Sequence, residues 1–300
     1  MKLKLGARGS ALSLAQARLV AASLKGAVVE IVTIATTGDR LSAAGSPIEW
    51  KGDFTRELDE ALLDGRIAFA VHSLKDVPSR LPDGIVLAAV PPREDPSDVL
   101  VSRERRLFAD LPSGASLGTS SPRRRAQLLA ARPDLEVLEA RGNVDTRLAR
   151  LAEGRFDAIV LARAGLARLG RLAEITEVLP ASLLLPAIGQ GALAVFARRD
   201  DAGLLSLLET LDDAASRREV EAERSLLATL EAGCRAPVAG LARARGQRLT
   251  VSAAVFSPNG TTALREESAG LARDAADLGR AAGQRLLERG AAALMAEGGA

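Results

Sequence analysis

The chain has 300 residues, 47% of them apolar, enough for two or three domains with substantial cores. Its formal net charge of +2 gives no global basic field for nucleic acid. One cysteine excludes an internal disulfide, with one histidine it leaves no ordinary zinc constellation, and no uncharged stretch approaches the roughly 20 residues of a membrane span. The first residues meet Arg8 before any signal-type apolar run develops, so a cytoplasmic protein is expected.

In chain order, Leu3–Leu5 reads as a first strand and Gly6-Ala7-Arg8-Gly9-Ser10 as a tight turn into a helix over Ala11–Leu24. A Gly-rich turn at a helix start offers backbone N–H groups and the positive dipole end to an anion, and Arg8 and Ser10 add donors. A plain N-cap at Ser10 is the other reading. Val28–Ala35 is a β-branched strand. Thr36 through Gly52 follows as a long polar loop, a length that suits a mobile lid. Phe54–Leu63 has helical periodicity and ends before Gly65.

The next stretch, Ala68–Pro78, begins as an apolar strand and turns abruptly polar at His72, Ser73, Lys75 and Asp76. Pro78 stops it, since proline cannot continue a central strand. Ligands of open α/β sheets sit beyond the carboxyl ends of strands, which places these four side chains at the mouth of a site. A solvated strand exit is the competing reading. Ile85–Val90 is a strand, and Pro91–Pro96 a linker marking a first domain boundary.

A second α/β unit follows, with strands at Asp98–Ser102 and from Ser116. Gly118-Thr119-Ser120-Ser121-Pro122-Arg123-Arg124-Arg125 combines a turn, three hydroxyls and proline at the first position of a helix over Arg123–Ala131. That grouping surrounds one anionic point, or else caps a helix with a solvated basic face. The same grammar returns at Arg141-Gly142-Asn143-Val144-Asp145-Thr146-Arg147 after a strand at Glu136–Glu139. Asp157–Leu161 is a strand and Ala164–Leu169 a short helix carrying Arg168. Repeated Arg-bearing turns predict a ligand with many carboxylates or phosphates.

Leu179–Gly191 resembles a hinge returning the chain to the first unit through a strand at Ala192–Ala197. A long helix over Asp212–Leu230 leads to Glu231-Ala232-Gly233-Cys234-Arg235. Leu249–Phe256 is a strand and Asp274–Glu288 a closing helix, together a small α+β unit. Cys234 is either an inert small hydrophobe or a thiolate favoured by Arg235.

These segments resemble the porphobilinogen deaminase (hydroxymethylbilane synthase) family along almost the whole chain. The resemblance rests on Arg8–Leu12, Phe54–Leu58, Val71–Pro78, Gly118–Arg124, Arg141–Val144 with Thr146-Arg147, Leu179-Pro180, Pro186–Gly191, and most distinctively Glu231–Cys234. It implies two α/β domains built like periplasmic binding proteins with a cleft between them, plus a small C-terminal α+β domain. The implied boundaries are 1–92 with 191–211, 93–190, and 212–300. It further implies a dipyrromethane cofactor, made from the enzyme's own substrate and joined to Cys234 through a thioether.

On that resemblance the substrate is porphobilinogen, which loses ammonia to give an electrophilic azafulvene and is polymerised in four rounds before hydrolysis releases hydroxymethylbilane. Asp76 is then the catalytic carboxylate. Lys75, Thr119, Ser120, Ser121, Arg123 and Arg124 join Cys234 in holding the cofactor, and Arg8, Ser10, Phe54, Arg141, Arg147 and Arg168 bind substrate. No metal, nucleic acid or membrane is expected, and a monomer is. One departure is visible: the family's Gly-Gly-Lys-Gly-Leu-Phe type of stretch reads Glu49-Trp50-Lys51-Gly52-Asp53-Phe54 here. The alternative is a non-catalytic anion-binding module of the same two-lobed fold, needing neither a reactive cysteine nor a cleft carboxylate. A DNA-binding regulator would need a helix-turn-helix segment, which the sequence does not supply.

Overall fold

The computed structural model describes residues 2–43, 54–232 and 236–297. The chain divides into two compact units, Met1–Glu94 with Gly191–Arg217, and Asp95–Gln190 with Arg218–Ala300.

The first unit is built on β1 (Lys2–Ala7), β2 (Val28–Thr33), β3 (Phe69–Ser73), β4 (Ile85–Ala89) and the returning β10 (Leu193–Arg198). Their order in the sheet is β2-β1-β3-β10-β4. β1 pairs in parallel with both β2 and β3, whereas β10 runs antiparallel to β3 and β4. β3 and β10 are nearly continuous apolar runs because helices cover both faces of the sheet. Helices α1 (Ala11–Ser23), α2 (Thr37–Ala43), α3 (Arg56–Leu63) and α7 (Ala202–Glu209) complete the unit. Leu5, Phe69, Val71, Val195, Leu204 and Leu208 form the centre of its core. Part of the predicted polar loop is therefore helical: α2 starts at Thr37, where Glu57 of α3 accepts from both the Thr37 N–H (2.8 Å) and its hydroxyl (2.6 Å).

The second unit repeats the layout. β5 (Asp98–Ser102), β6 (Ser116–Gly118), β7 (Glu136–Leu138), β8 (Ala158–Ala162) and β9 (Glu177–Leu179) are ordered β7-β6-β8-β5-β9. Again three neighbouring strands are parallel, and the fourth, β5, is antiparallel to both its neighbours. Helices α4 (Pro122–Ala131), α5 (Val144–Ala152) and α6 (Arg163–Arg168) follow β6, β7 and β8. In each sheet the antiparallel strand is the one that the inter-unit connections deliver, which is how one chain builds two alike α/β lobes.

A third sheet, β11-β12-β13, is antiparallel throughout: β11 (Val238–Arg245), β12 (Arg248–Phe256) and β13 (Ala263–Leu271). Helices α8 (Ala214–Leu230), α9 (Ala275–Glu288) and α10 (Ala291–Glu297) supply its remaining core. The architecture is thus two α/β lobes of matching strand order plus a small C-terminal α+β domain. β11 is an edge strand, yet successive outward N–H groups are all bonded. Gly240 donates to the Pro186 carbonyl at 3.0 Å, Ala242 to Glu223 at 2.8 Å and Ala244 to Glu219 at 3.0 Å. The match is geometric: four residues of helix rise about 6 Å, close to the roughly 6.6 Å spanned by two residues of strand.

The connection predicted as a hinge is anchored up to its last residue. Leu185 donates to Gln127 at 2.8 Å and accepts from it at 3.1 Å, Gly189 donates to Glu223 at 2.6 Å, and Gln190 donates to the Pro96 carbonyl at 2.7 Å. These bonds belong to the second unit, and the chain changes units between Gln190 and Gly191.

Candidate active site

In the first unit, the turns after β1 and β3 lie side by side because the two strands are parallel neighbours. Ser10 caps α1, its hydroxyl oxygen accepting from the Ser13 N–H at 3.2 Å. Arg8 leaves β1 half-buried and pairs with Asp39, Nε to Oδ1 at 3.1 Å and Nη2 to Oδ1 at 2.5 Å. Its guanidinium lies 4.0 Å over the Phe54 ring. The ring can come this close because Gly38 has no Cβ to meet it. Burial raises the pKa of Asp39, but the bond and charge from Arg8, with two bonds from Thr36, outweigh it and hold the carboxyl below its ordinary value.

At the end of β3, buried Gln16 of α1 donates to the Ser73 hydroxyl oxygen at 2.8 Å. A 3-10 turn, Leu74–Asp76, follows; the Leu74 N–H bonds the Ala192 carbonyl and the Val77 N–H closes back on Leu74, both at 3.0 Å. Leu74 points into the core, which leaves Lys75 and Asp76 half-buried at the strand's carboxyl end. Among the described residues, the Asp76 carboxylate makes no hydrogen bond or ion pair. Behind it, His72 is buried with its ring 5.6 Å from that of Phe196, and its Nε2 has no partner. Burial, aided by the charge of Arg8, pushes the imidazole pKa down to about 3, so His72 is neutral near pH 7.

In the second unit the turn after β6 is different. Asp98, 0% exposed, accepts at Oδ1 from Arg124 Nη2 at 2.6 Å and Gln190 Nε2 at 2.9 Å, and its Oδ2 forms an ion pair with Arg123 Nη2 at 2.8 Å. Arg124 also donates to the Val160 carbonyl, and Arg123 to that of Leu185. The two arginines, predicted as ligand guanidiniums, are only 4% and 5% exposed and are held by protein groups. Burial raises the Asp98 pKa, but the charges of Arg123 and Arg124, with the bonds from Gln190 and Arg124, together outweigh it and hold the carboxyl below its ordinary value. Two guanidiniums against one carboxylate leave an excess positive charge beneath the start of α4.

Above that charge sit three hydroxyls. Thr119 and Ser121 use their oxygens to accept backbone N–H groups, from Ser121 at 3.2 Å and Arg124 at 3.4 Å, so both keep a proton to donate. Ser120 Oγ is buried and has no partner among the described residues. After β7, Asn143 caps α5, Arg147 donates to the Gly142 carbonyl at 2.8 Å and Arg141 pairs with Glu139 at 2.7 Å. Arg168 is half-buried in the last turn of α6. Cys234, and Lys51 with the rest of the 44–53 stretch, lie outside the described residues.

The candidate residues thus fall into two sets. Arg8, Ser10, Phe54, Lys75 and Asp76 belong to the first unit, and Thr119–Ser121, Arg123, Arg124, Arg141, Arg147 and Arg168 to the second. Apart from Phe54 before α3 and Arg168 at the end of α6, these residues lie just beyond the carboxyl ends of parallel strands. Asp39, Gln16, Asp98 and Gln190 were not singled out from the sequence; each acts on a partner far away in the chain, which leaves no local signal.

Arginine- and hydroxyl-bearing turns repeated at corresponding strand ends, with the Asp76 carboxylate unpaired among the described residues, define a two-lobed α/β protein. Comparison with known proteins narrows the class. Residues 3–206 match the family model for the porphobilinogen deaminase dipyrromethane cofactor-binding domain, and residues 217–288 that for the porphobilinogen deaminase C-terminal domain. The porphobilinogen deaminase of Rubrobacter xylanophilus is 51% identical over 297 residues, covering 98% of this chain and 96% of the relative. That of Desulforudis audaxviator is 49% identical over 296 residues, covering 97% and 96%. Among solved structures, the Bordetella pertussis BvgS periplasmic VFT2 domain aligns with 70% of this chain and 86% of its own at 18% identity and a TM-score of 0.41. The chain belongs to the porphobilinogen deaminase family.

The residues fit the family's dipyrromethane. Such a group carries carboxylates, and the second unit offers a buried excess positive charge, an orphaned Ser120 hydroxyl and two further hydroxyl protons in search of acceptors. No helix among the described residues is long and apolar enough to cross a membrane.

Proposed function

We propose that Asp76 is the acid–base and charge-stabilising group of the family's reaction, in which porphobilinogen loses ammonia and is added head-to-tail to a growing chain. Loss of ammonia leaves positive charge on the substrate's pyrrole, and a carboxylate with no competing partner is the group best placed to stabilise it and move its protons. His72, neutral and buried within β3, adds no positive charge there. The carboxylates of each pyrrole unit go to Arg8, Arg141, Arg147 and Arg168, with Ser10 donating and the Phe54 ring flanking Arg8.

Cys234 holds the dipyrromethane through a thioether, with Lys75 and the Thr119–Ser121 hydroxyls binding its carboxylates over the charge of Arg123 and Arg124. When bound, that group supplies the electron-rich pyrrole carbon to which four substrate units are added before hydrolysis releases hydroxymethylbilane. The chain works as a cytoplasmic monomer of three domains, 1–92 with 191–211, 93–190 and 212–300, and takes no nucleic-acid partner.

The observation that carries this reading is the Asp76 carboxylate just after β3, unpaired among the described residues, in a chain of this family. Asp76→Asn keeps size and hydrogen-bonding capacity but removes the charge, and is expected to slow tetrapyrrole formation ~10²–10³-fold. Cofactor content is read from intact mass: the loaded protein is heavier than its sequence by two linked pyrrole units, and Cys234→Ala is not. Near-normal turnover in loaded Asp76→Asn would remove Asp76 from the mechanism.

A further inference from the structure

A guanidinium has two edges that can grip a carboxylate, Nε with one Nη, and the two Nη groups together. At Arg8 the first edge is taken by Asp39, through Nε at 3.1 Å and 3.3 Å and Nη2 at 2.5 Å. One face of the guanidinium is covered by Phe54 at 4.0 Å. Among the described residues no bond reaches Nη1, and none of them occupies the second edge. Asp39 is itself fixed, since its Oδ2 accepts from the Thr36 hydroxyl at 2.7 Å and the Thr36 N–H at 3.3 Å. The arginine is therefore gripped on one edge and one face, leaving its other edge aimed by the protein.

We propose that Asp39 is a positioning residue, which holds the Nε/Nη2 edge of Arg8 so that the Nη1/Nη2 edge meets a carboxylate of the incoming porphobilinogen. The proposal rests on the reading of Arg8 as a substrate-binding group. It explains why arginine is needed: one ammonium cannot serve two planar carboxylates on separate edges in fixed geometry. The opposite role would make Asp39 a carboxylate that competes with substrate and masks Arg8. The two make opposite predictions.

The test is steady-state kinetics with porphobilinogen on Arg8→Lys, Asp39→Asn and Asp39→Glu, each checked for cofactor content by mass and for thermal midpoint. Asp39→Asn is expected to raise KM about 10–100-fold, the scale of one charge-assisted hydrogen bond, with a smaller change in kcat. Asp39→Glu is expected to recover most of that loss, which a merely structural role would not require. Arg8→Lys is expected to match Asp39→Asn. If Arg8→Lys raises KM while Asp39→Asn leaves it unchanged or lowers it, the positioning role is overturned and Arg8 remains a substrate group. If Arg8→Lys leaves KM unchanged, the reading of Arg8 falls and this proposal falls with it. Should Asp39→Asn fail to fold, a KM of Asp39→Glu far above that of the native chain would overturn the proposal in its place.

Discussion

The turn after β1 and the turn after β6 occupy corresponding places in two sheets of the same order, yet they use arginine in opposite ways. In the first unit Arg8 stays half-buried, stacked on Phe54 and paired along one edge with the half-exposed Asp39. In the second unit Arg123 and Arg124 are drawn inside around Asp98, and the turn above them holds the buried Thr119 with the half-buried Ser120 and Ser121. The difference lies in where the balancing carboxylate comes from. Asp39 belongs to a surface helix, whereas Asp98 is the first residue of the buried strand β5. One topology therefore yields a directed cation in one lobe and a diffuse positive charge under hydroxyl donors in the other.

The comparison is tested most strongly by removing the two carboxylates. Asp98→Ala leaves two buried guanidiniums without their anion and is expected to cost about 3–5 kcal/mol. Asp39→Ala breaks a partly solvated pair and is expected to cost about 1 kcal/mol or less. Denaturant midpoints measure both, and equal costs would erase the distinction between the lobes.

A smaller effect concerns His72, which exists only in the first unit. Its pKa is about 3 in the folded chain against an ordinary 6.5, so folding favours the neutral ring. The stability it permits is complete above pH 6.5 and is lost as pH falls toward 3, amounting to about 3 kcal/mol by pH 4. His72→Gln is expected to flatten that acid limb in thermal midpoints recorded from pH 7 to pH 4. An unchanged slope would mean that the imidazole is solvated.

The smallest effect is at Asp59 of α3, whose carboxyl is pushed up to about 6 by burial, against a bond from Thr55. A raised carboxyl pKa means that the folded chain is favoured below its ordinary value and loses that advantage as pH rises through 6. Asp59→Asn is expected to raise the thermal midpoint at pH 8 by a few degrees, to keep about half of that benefit at pH 5 and to lose most of it only below about pH 4. A shift independent of pH would assign the effect to packing.

Much of the fold was legible in the sequence, and the reasons are local. β5, β8 and β10 are buried on both faces and read as apolar runs, and α1 and α4 carry their capping serines in plain view. β11 and β13 escaped, because Val-Ala-Gly-Leu-Ala-Arg-Ala-Arg and Ala-Leu-Arg-Glu-Glu-Ser-Ala-Gly-Leu have little strand propensity. Their conformation comes from pairing with β12, which is a tertiary cause. The site divides similarly. The motifs announced Asp76, Arg8 and the Thr119–Ser121 turn, but not the bonds that aim them. Arg8 to Asp39 spans 31 residues and Gln16 to Ser73 spans 57, and no local pattern encodes such distances.

The sealing of β11 bears on solubility. An open strand edge is a template on which another chain can add a strand, and short antiparallel sheets are prone to it. Here α8 fills two of the outward donors with Glu219 and Glu223, and the connecting segment fills a third through Pro186. An incoming strand would have to displace buried carboxylates, so growth is blocked on that side. The opposite edge, β13, carries Arg265, Glu266 and Glu267, with Glu266 paired to Arg285 at 2.7 Å. The smallest sheet in the molecule is thereby guarded by covered donors on one margin and by charge on the other, which disfavours fibrous self-association.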